Sequence, residues 1–133
     1  GQPYTGYPCF SAPDEFPIAL QNAGFDLFLT ANNHCLDRYT RGAIRTLHIL
    51  DSIGTDHIGT YDSKDSFERF YPFITSIKGI RIAFLNYTYG TNGFTPHSPL
   101  IVNYIDKEKN KKRHFSCQNV ECRPYRCLPT LGR

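Results

Sequence analysis

Asn32, Asn33 and His34 place three neutral side chains with ligand chemistry next to one another, and a carboxylate follows at Asp37, all inside GFDLFLTANNHCLD, residues 24–37. Before them lies an apolar run, Phe25 to Leu29 with Asp26 as its one acidic interruption, bounded by Gly24 and stopping at Thr30-Ala31. A run of that length reads as a core strand, and polar groups at the C-terminal end of such a strand sit where open α/β sheets place their active sites. A second polar loop, NYTYGTNG at 86–93, closes another apolar run and carries Asn86, Tyr87 and Asn92. If the two strands are parallel neighbours, both loops emerge on one rim of the sheet and form one site. Each loop also has a structural reading. Asn32 and Asn33 then cap the turn that follows with His34 a satisfied polar residue, and NYTYGTNG is a surface turn.

The elements that must position these groups follow from pattern. Residues 1–13, with three prolines and two glycines, read as an ordered but irregular loop. A helix starts at Asp14, with Pro17 in its first turn and Phe16, Ile18, Ala19 and Leu20 as its apolar side, and ends at Gly24. A second helix spans roughly Tyr39 to Ile53, because Ile44, Leu47, Leu50 and Ile53 recur at spacings of three. His57 to Gly59 reads as a short strand, Thr60 to Asp65 as a polar turn, and Phe67 to Ile77 as a strand that Pro72 confines to an edge. Lys78-Gly79 is a tight connection. Ile80 to Tyr89 is the strongest strand, apolar on both faces and therefore expected at the sheet centre, covered on both sides.

The chain has 133 residues and is 40% apolar, enough for one domain with a core of its own. Its formal charge is +3, but five of the fifteen basic residues lie in KEKNKKR, 107–113, which leaves no basic face for nucleic acid. No apolar stretch reaches the length of a membrane span, and no signal-peptide pattern opens the chain. Gly1 stands where an initiator Met would, so the N-terminus of the natural protein is expected upstream. Of the five cysteines, isolated Cys9 and Cys35 read as small buried hydrophobes. Cys117, Cys122 and Cys127 recur at a spacing of five that fits no common zinc pattern.

With these residues in place, the chain resembles the CapA family of capsule or poly-γ-glutamate biosynthesis proteins, whose domain is similar to the calcineurin-like metallophosphoesterases. The resemblance is carried in order by GYPCFSAPDE (6–15), Ala23-Gly24, FDLFLTANNHCLDRYTRGAIRTLHILDSIG (25–54), HIGTY (57–61) and GIRIAFLNYTYGTNG (79–93), and extends to about Asp106. It implies an α/β fold, part of a metallophosphoesterase-like α/β/β/α sandwich and hence a piece of a larger domain. It also implies divalent metal ions as cofactors, with Asn33 a metal ligand through its amide oxygen and His34 the catalytic proton donor or transition-state stabiliser. An amide oxygen binds a hard cation without adding charge, and an imidazole near neutrality can protonate a leaving oxygen. Asn32, Asp37, Asn86, Tyr87 and Asn92 are then candidates for the substrate side, with Asp37 ordering the loop by bonding backbone amides. Arg38 and Arg41 either face an anionic substrate or are solvated helix-start charges. The implied partner is an anionic polymer such as poly-γ-glutamate or capsular polysaccharide, handled by a metal-dependent hydrolase or by a non-catalytic binding, export or assembly component of the bacterial cell envelope. The upstream Asp-containing strand and the downstream His-Trp-Gly and His-Pro-His motifs of the family have no counterpart here, so the chain is expected to hold one rim of a metal centre and to be inactive alone.

From Arg113 the apolar periodicity and the resemblance both stop. The division expected is a partial domain over 1–112 and a disordered tail over 113–133. Codons compatible with that tail, read one base out of frame after the adenine-rich codons for Lys111 and Lys112, can spell a helix, a strand and His-Trp-Gly. The tail is therefore expected to be translated out of frame, which nucleotide sequence across those two lysines would decide.

Overall fold

The structure, a computed structural model, describes residues 4–107, so the expectation of a disordered tail lies outside the described residues. Helix α1 spans Glu15–Asn22, with Pro17 in the first turn, where its missing N–H costs no helical bond. It ends as a paired-bond C-terminal turn, Gly24 N–H to Gln21 O and Phe25 N–H to Leu20 O. Strand β1, Leu27–Leu29, follows directly. Helix α2, Tyr39–Ser52, buries Ala43, Leu47 and Leu50 along one face and closes the same way, through Gly54 and Thr55. It returns the chain to strand β2, Asp56–Ile58, which pairs in parallel with β1, Leu27 opposite Asp56 and Leu29 opposite Ile58. This is the β-α-β crossover that places the β1 loop and the β2 loop at one end.

Beyond β2 the backbone turns at Gly59 into strand β3, Thr60–Tyr61, then helix α3, Lys64–Phe70, then strand β4, Phe73–Ile77, and strand β5, Ile80–Phe84. Strand β6, Ile101–Val102, pairs antiparallel with β3. The main core is Leu36, Ala43, Leu47, Leu100 and Val102, with Cys35, Ile44, Phe94 and Tyr104 packed against it. It is built largely from α2, the loop before it and the segment around β6. Helix α1 buries no residue and is held by side chains instead. Gln21 Nε2 donates to Ile53 O at 2.8 Å and Thr55 Oγ1 at 2.7 Å, and Arg45 clasps Asp14 at 2.6 and 2.7 Å.

Helices and strands mix as the pattern implies, giving an α/β fold, and α1, α2, β2 and the Lys78-Gly79 turn lie where expected. Several expectations are corrected. The run Phe25 to Leu29 is not a buried core strand: only Leu27–Leu29 is extended, and Leu29 is 58% exposed. Thr60 to Asp65 is not a polar turn, because Thr60 and Tyr61 form a buried strand and α3 starts at Lys64. The expected strand from Phe67 begins as the end of α3, whose N-cap Ser63 accepts from Ser66 N–H at 3.1 Å, a local bond that apolar counting overlooks. Strand β5 is not central and covered: it pairs only with β4 among the described residues, Ile77 opposite Ile80, and Ile80 is 67% exposed. Nor are β1 and β5 hydrogen-bonded neighbours. Among the described residues no helix is long and apolar enough to cross a membrane.

Candidate functional site

Although β1 and β5 do not pair, the loops that follow them meet. The contact is made by Asn86, whose Oδ1 accepts from Ala31 N–H at 2.7 Å while its Nδ2 donates to Ala31 O at 3.1 Å. One side chain thus satisfies both backbone groups of a buried residue at the mouth of the β1 loop. Gly59 makes room for this clamp. A Cβ there would lie 2.0 Å from Asn86 Oδ1 and 2.6 Å from Ala31 N, and Gly59 also holds φ +110°, which side chains rarely adopt. Thr30 locks the same corner, its hydroxyl donating to Ile58 O at 2.8 Å and accepting from Thr60 N–H at 3.0 Å. The second loop is in turn hung on the segment after β6, by Thr88 N–H to Asn103 O and Ile105 N–H to Thr88 O, both 2.9 Å.

Within this frame Asn32, Asn33, His34, Asp37 and Asn92 gather. Asn32 Oδ1 accepts from His34 N–H at 2.8 Å, the expected loop-capping role. His34 Nδ1 lies 2.8 Å from Asp37 Oδ2, and the same oxygen accepts from Phe10 N–H at 2.8 Å. An ionised carboxylate only accepts, so a proton sits on Nδ1 and Nε2 is the ring nitrogen left for a ligand or substrate. Asn92 Nδ2 approaches Nδ1 to 3.3 Å; two donors do not bond, so this is packing. Asn33 Nδ2 donates to Asn92 Oδ1 at 3.3 Å, joining the two loops directly. The ring of Phe10 stands edge-on to His34 with centroids 4.7 Å apart. Asp37 is buried and His34 is part-exposed, an arrangement that fixes the ring from behind and leaves an edge open.

Asp37 therefore does bond a backbone amide, that of Phe10, and also orients His34. Tyr87 is placed elsewhere, its hydroxyl bonded to that of Tyr71. Asn86 is spent on Ala31. Arg38 is also committed, its Nη2 reaching Thr5 Oγ1 at 2.5 Å and Cys9 O at 3.5 Å, while Arg41 is exposed. Cys9 and Cys35 are free thiols, and burial pushes the Cys35 thiol up, which makes it a poor nucleophile. Phe10 and Gly59 are the site residues that sequence reasoning missed. Nothing in local spacing signals that Phe10 meets a side chain 27 residues away; Gly59 stood in the HIGTY motif without a reason attached. A small cavity lined by Asp51, Asp56, His57, Phe70 and Phe73 among others holds none of the candidate residues.

A divalent centre draws ligands from several strand ends. Asn33 Oδ1 and His34 Nε2 are ligand atoms that the bonds above leave unused, and no group of three His, Cys, Asp or Glu side chains able to hold a metal occurs among the described residues. The described residues thus do not fit a metal centre by themselves.

The sequence model of the family described as bacterial capsule synthesis protein PGA_cap matches residues 1–121. No curated protein matches the chain.

Proposed function

Because the chain belongs to the bacterial capsule synthesis protein PGA_cap family, we propose that its His34 loop is the part that meets capsule polymer, with His34 as the proton-transfer group of a hydrolase-type site. The observation that supports this is the His34 Nδ1 to Asp37 Oδ2 contact of 2.8 Å. The buried carboxylate holds the ring in place and points its other nitrogen away from itself, the orienting relation that general acid–base residues use. Once protonated, Nε2 can donate to the oxygen that leaves when a polymer linkage is cut. Asn33, joined to Asn92, lines the same loop and orients the bound chain. A divalent metal, which the resemblance implies, would need donors beyond the described residues.

A second reading is favoured by that same shortage of donors: the chain binds polymer for export or assembly and does not cut it. Incubation of a full-length relative that carries the matching His and Asp together with the missing donors, with poly-γ-glutamate and with capsular polysaccharide and with Mn²⁺ or Mg²⁺ added, separates the two when chain length is followed by size exclusion. The hydrolase reading expects shortening by the wild type and none by the variants matching His34→Ala or Asp37→Asn. Binding with no shortening supports the second reading. Shortening that survives His34→Ala overturns the first.

A further inference from the structure

Arg38 caps the start of α2 and Gly42 lies four residues on, inside the helix. Arg38 is neither spread in water nor turned to a substrate: its Nε is buried and its Nη2 donates to Thr5 Oγ1 at 2.5 Å. The Thr5 hydroxyl in turn donates to Cys9 O, an oxygen that also lies 3.5 Å from Arg38 Nη2. Thr5 and Ser11 exchange two backbone bonds, at 3.1 and 2.9 Å, so the loop of residues 4–11 is a closed unit that can be held from a few points. Arg38 is one such point. The residue before it supplies another, because Asp37 Oδ2 accepts from Phe10 N–H at 2.8 Å. Two consecutive residues of the His34 loop thus grip the 4–11 loop, and the ring of Phe10 is carried onto His34 with centroids 4.7 Å apart and planes at 86°.

Gly42 makes this course of the Arg38 side chain possible. Glycine weakens a helix relative to alanine, and residues four apart on a helix ordinarily leave room for both Cβ atoms. Arg38 is not helical, with φ −114° and ψ 30°, and a Cβ built at Gly42 would fall 2.3 Å from Arg38 Cβ. That is the root of the side chain, which no rotamer change moves. We propose that Arg38, in the space left by Gly42, is a positioning residue for His34. It latches the 4–11 loop, so that Phe10 N–H stays on the carboxylate oxygen that orients the imidazole and the Phe10 ring walls one side of it. The proposal deepens the reading of His34 as the proton-transfer group and rests on it. A reacting group is effective only in a narrow range of directions, and a ring held by Asp37 on one side and Phe10 on another keeps Nε2 in one direction.

NMR of this chain at one fixed pH tests the latch, through amide exchange at Phe10 and the ring proton shifts of His34. In Arg38→Ala the Phe10 amide should exchange at least about tenfold faster, the weight of one hydrogen bond from a charged group. The His34 ring protons should move as the Phe10 ring leaves, while the amide resonances of Leu47 and Leu50, buried on α2, stay in place. Gly42→Ala keeps the guanidinium but displaces its root, and should have the same two effects. Arg38→Gly removes the clashing Cβ, so Gly42→Ala added to it should change neither signal further. The latch is overturned if Arg38→Ala or Gly42→Ala leaves the Phe10 amide and the His34 ring unmoved. Equal disturbance of Leu47 and Leu50 would make Arg38 a support of the whole fold and overturns it too. None of these signals depends on polymer cleavage. If shortening by the full-length relative survives loss of the His34 imidazole, the proton-transfer reading falls and the latch stands; His34-dependent shortening with an unmoved ring removes the latch alone.

Discussion

At the scale of single residues, the site depends on side chains that were legible as chemistry but not as partners. Asn32, Asn33, His34, Asp37 and Asn92 stand out in the sequence because amides, an imidazole and a carboxylate cluster in two short loops, and the structure brings all five together. Asn86 was legible as polar but not as a clamp, since its role depends on where Ala31 falls, 55 residues earlier. Its replacement tests that role. Asn86→Ala strips partners from the buried N–H and C=O of Ala31 and should cost about 2–3 kcal/mol, the usual penalty for orphaned buried groups. Urea unfolding measures it, and a loss well under 1 kcal/mol would mean that water replaces the amide and that the loops are held together by other contacts.

At the scale of elements, the helices were legible and the strands much less so. Helix α2 repeats its apolar residues every three or four positions and closes on a glycine, signals that are local and strong. Helix α3 was hidden because its start is a polar device, not an apolar stripe: Ser63 caps it, and Asp62 accepts from Ser66 Oγ at 2.5 Å and Ser63 Oγ at 3.2 Å. The Ser66 hydroxyl above all, helped by Ser63 and the nearby His48, holds the Asp62 carboxyl below the usual carboxylate range against partial desolvation. A carboxyl with a folded pKa below its unfolded one stabilises the fold above the unfolded value, and that contribution disappears as pH falls through the folded value. Ser66→Ala should therefore raise the Asp62 pKa toward the ordinary range and weaken the loss of stability in acid. NMR titration of the Asp62 carboxyl carbon checks the first, and an unmoved midpoint would assign the shift to another cause.

At the scale of the whole molecule, apolar pattern alone could not say which strands would be covered. Ile80 to Phe84 is apolar enough for a central strand, but burial requires a facing layer, and among the described residues the β4–β5 hairpin has none on its outer side. The covered apolar residues sit instead around α2, where Leu36, Leu47, Leu100 and Val102 come from segments far apart in sequence. Stability should therefore be unevenly distributed. Leu47→Ala opens a cavity in that core and should cost about 3 kcal/mol, whereas Ile80→Ala on the exposed hairpin should stay within about 0.5 kcal/mol. Native-state hydrogen exchange carries the same asymmetry. The amides of Ala43 to Leu50 should exchange only on global opening, and those of Ile74 to Ile82 through cheaper local opening of the hairpin. Equal protection in both segments would mean that the hairpin is stabilised by a covering layer. In that case the His34 loop, tied to the end of β5 through Asn86, would sit in a continuous sheet and not on a detachable arm.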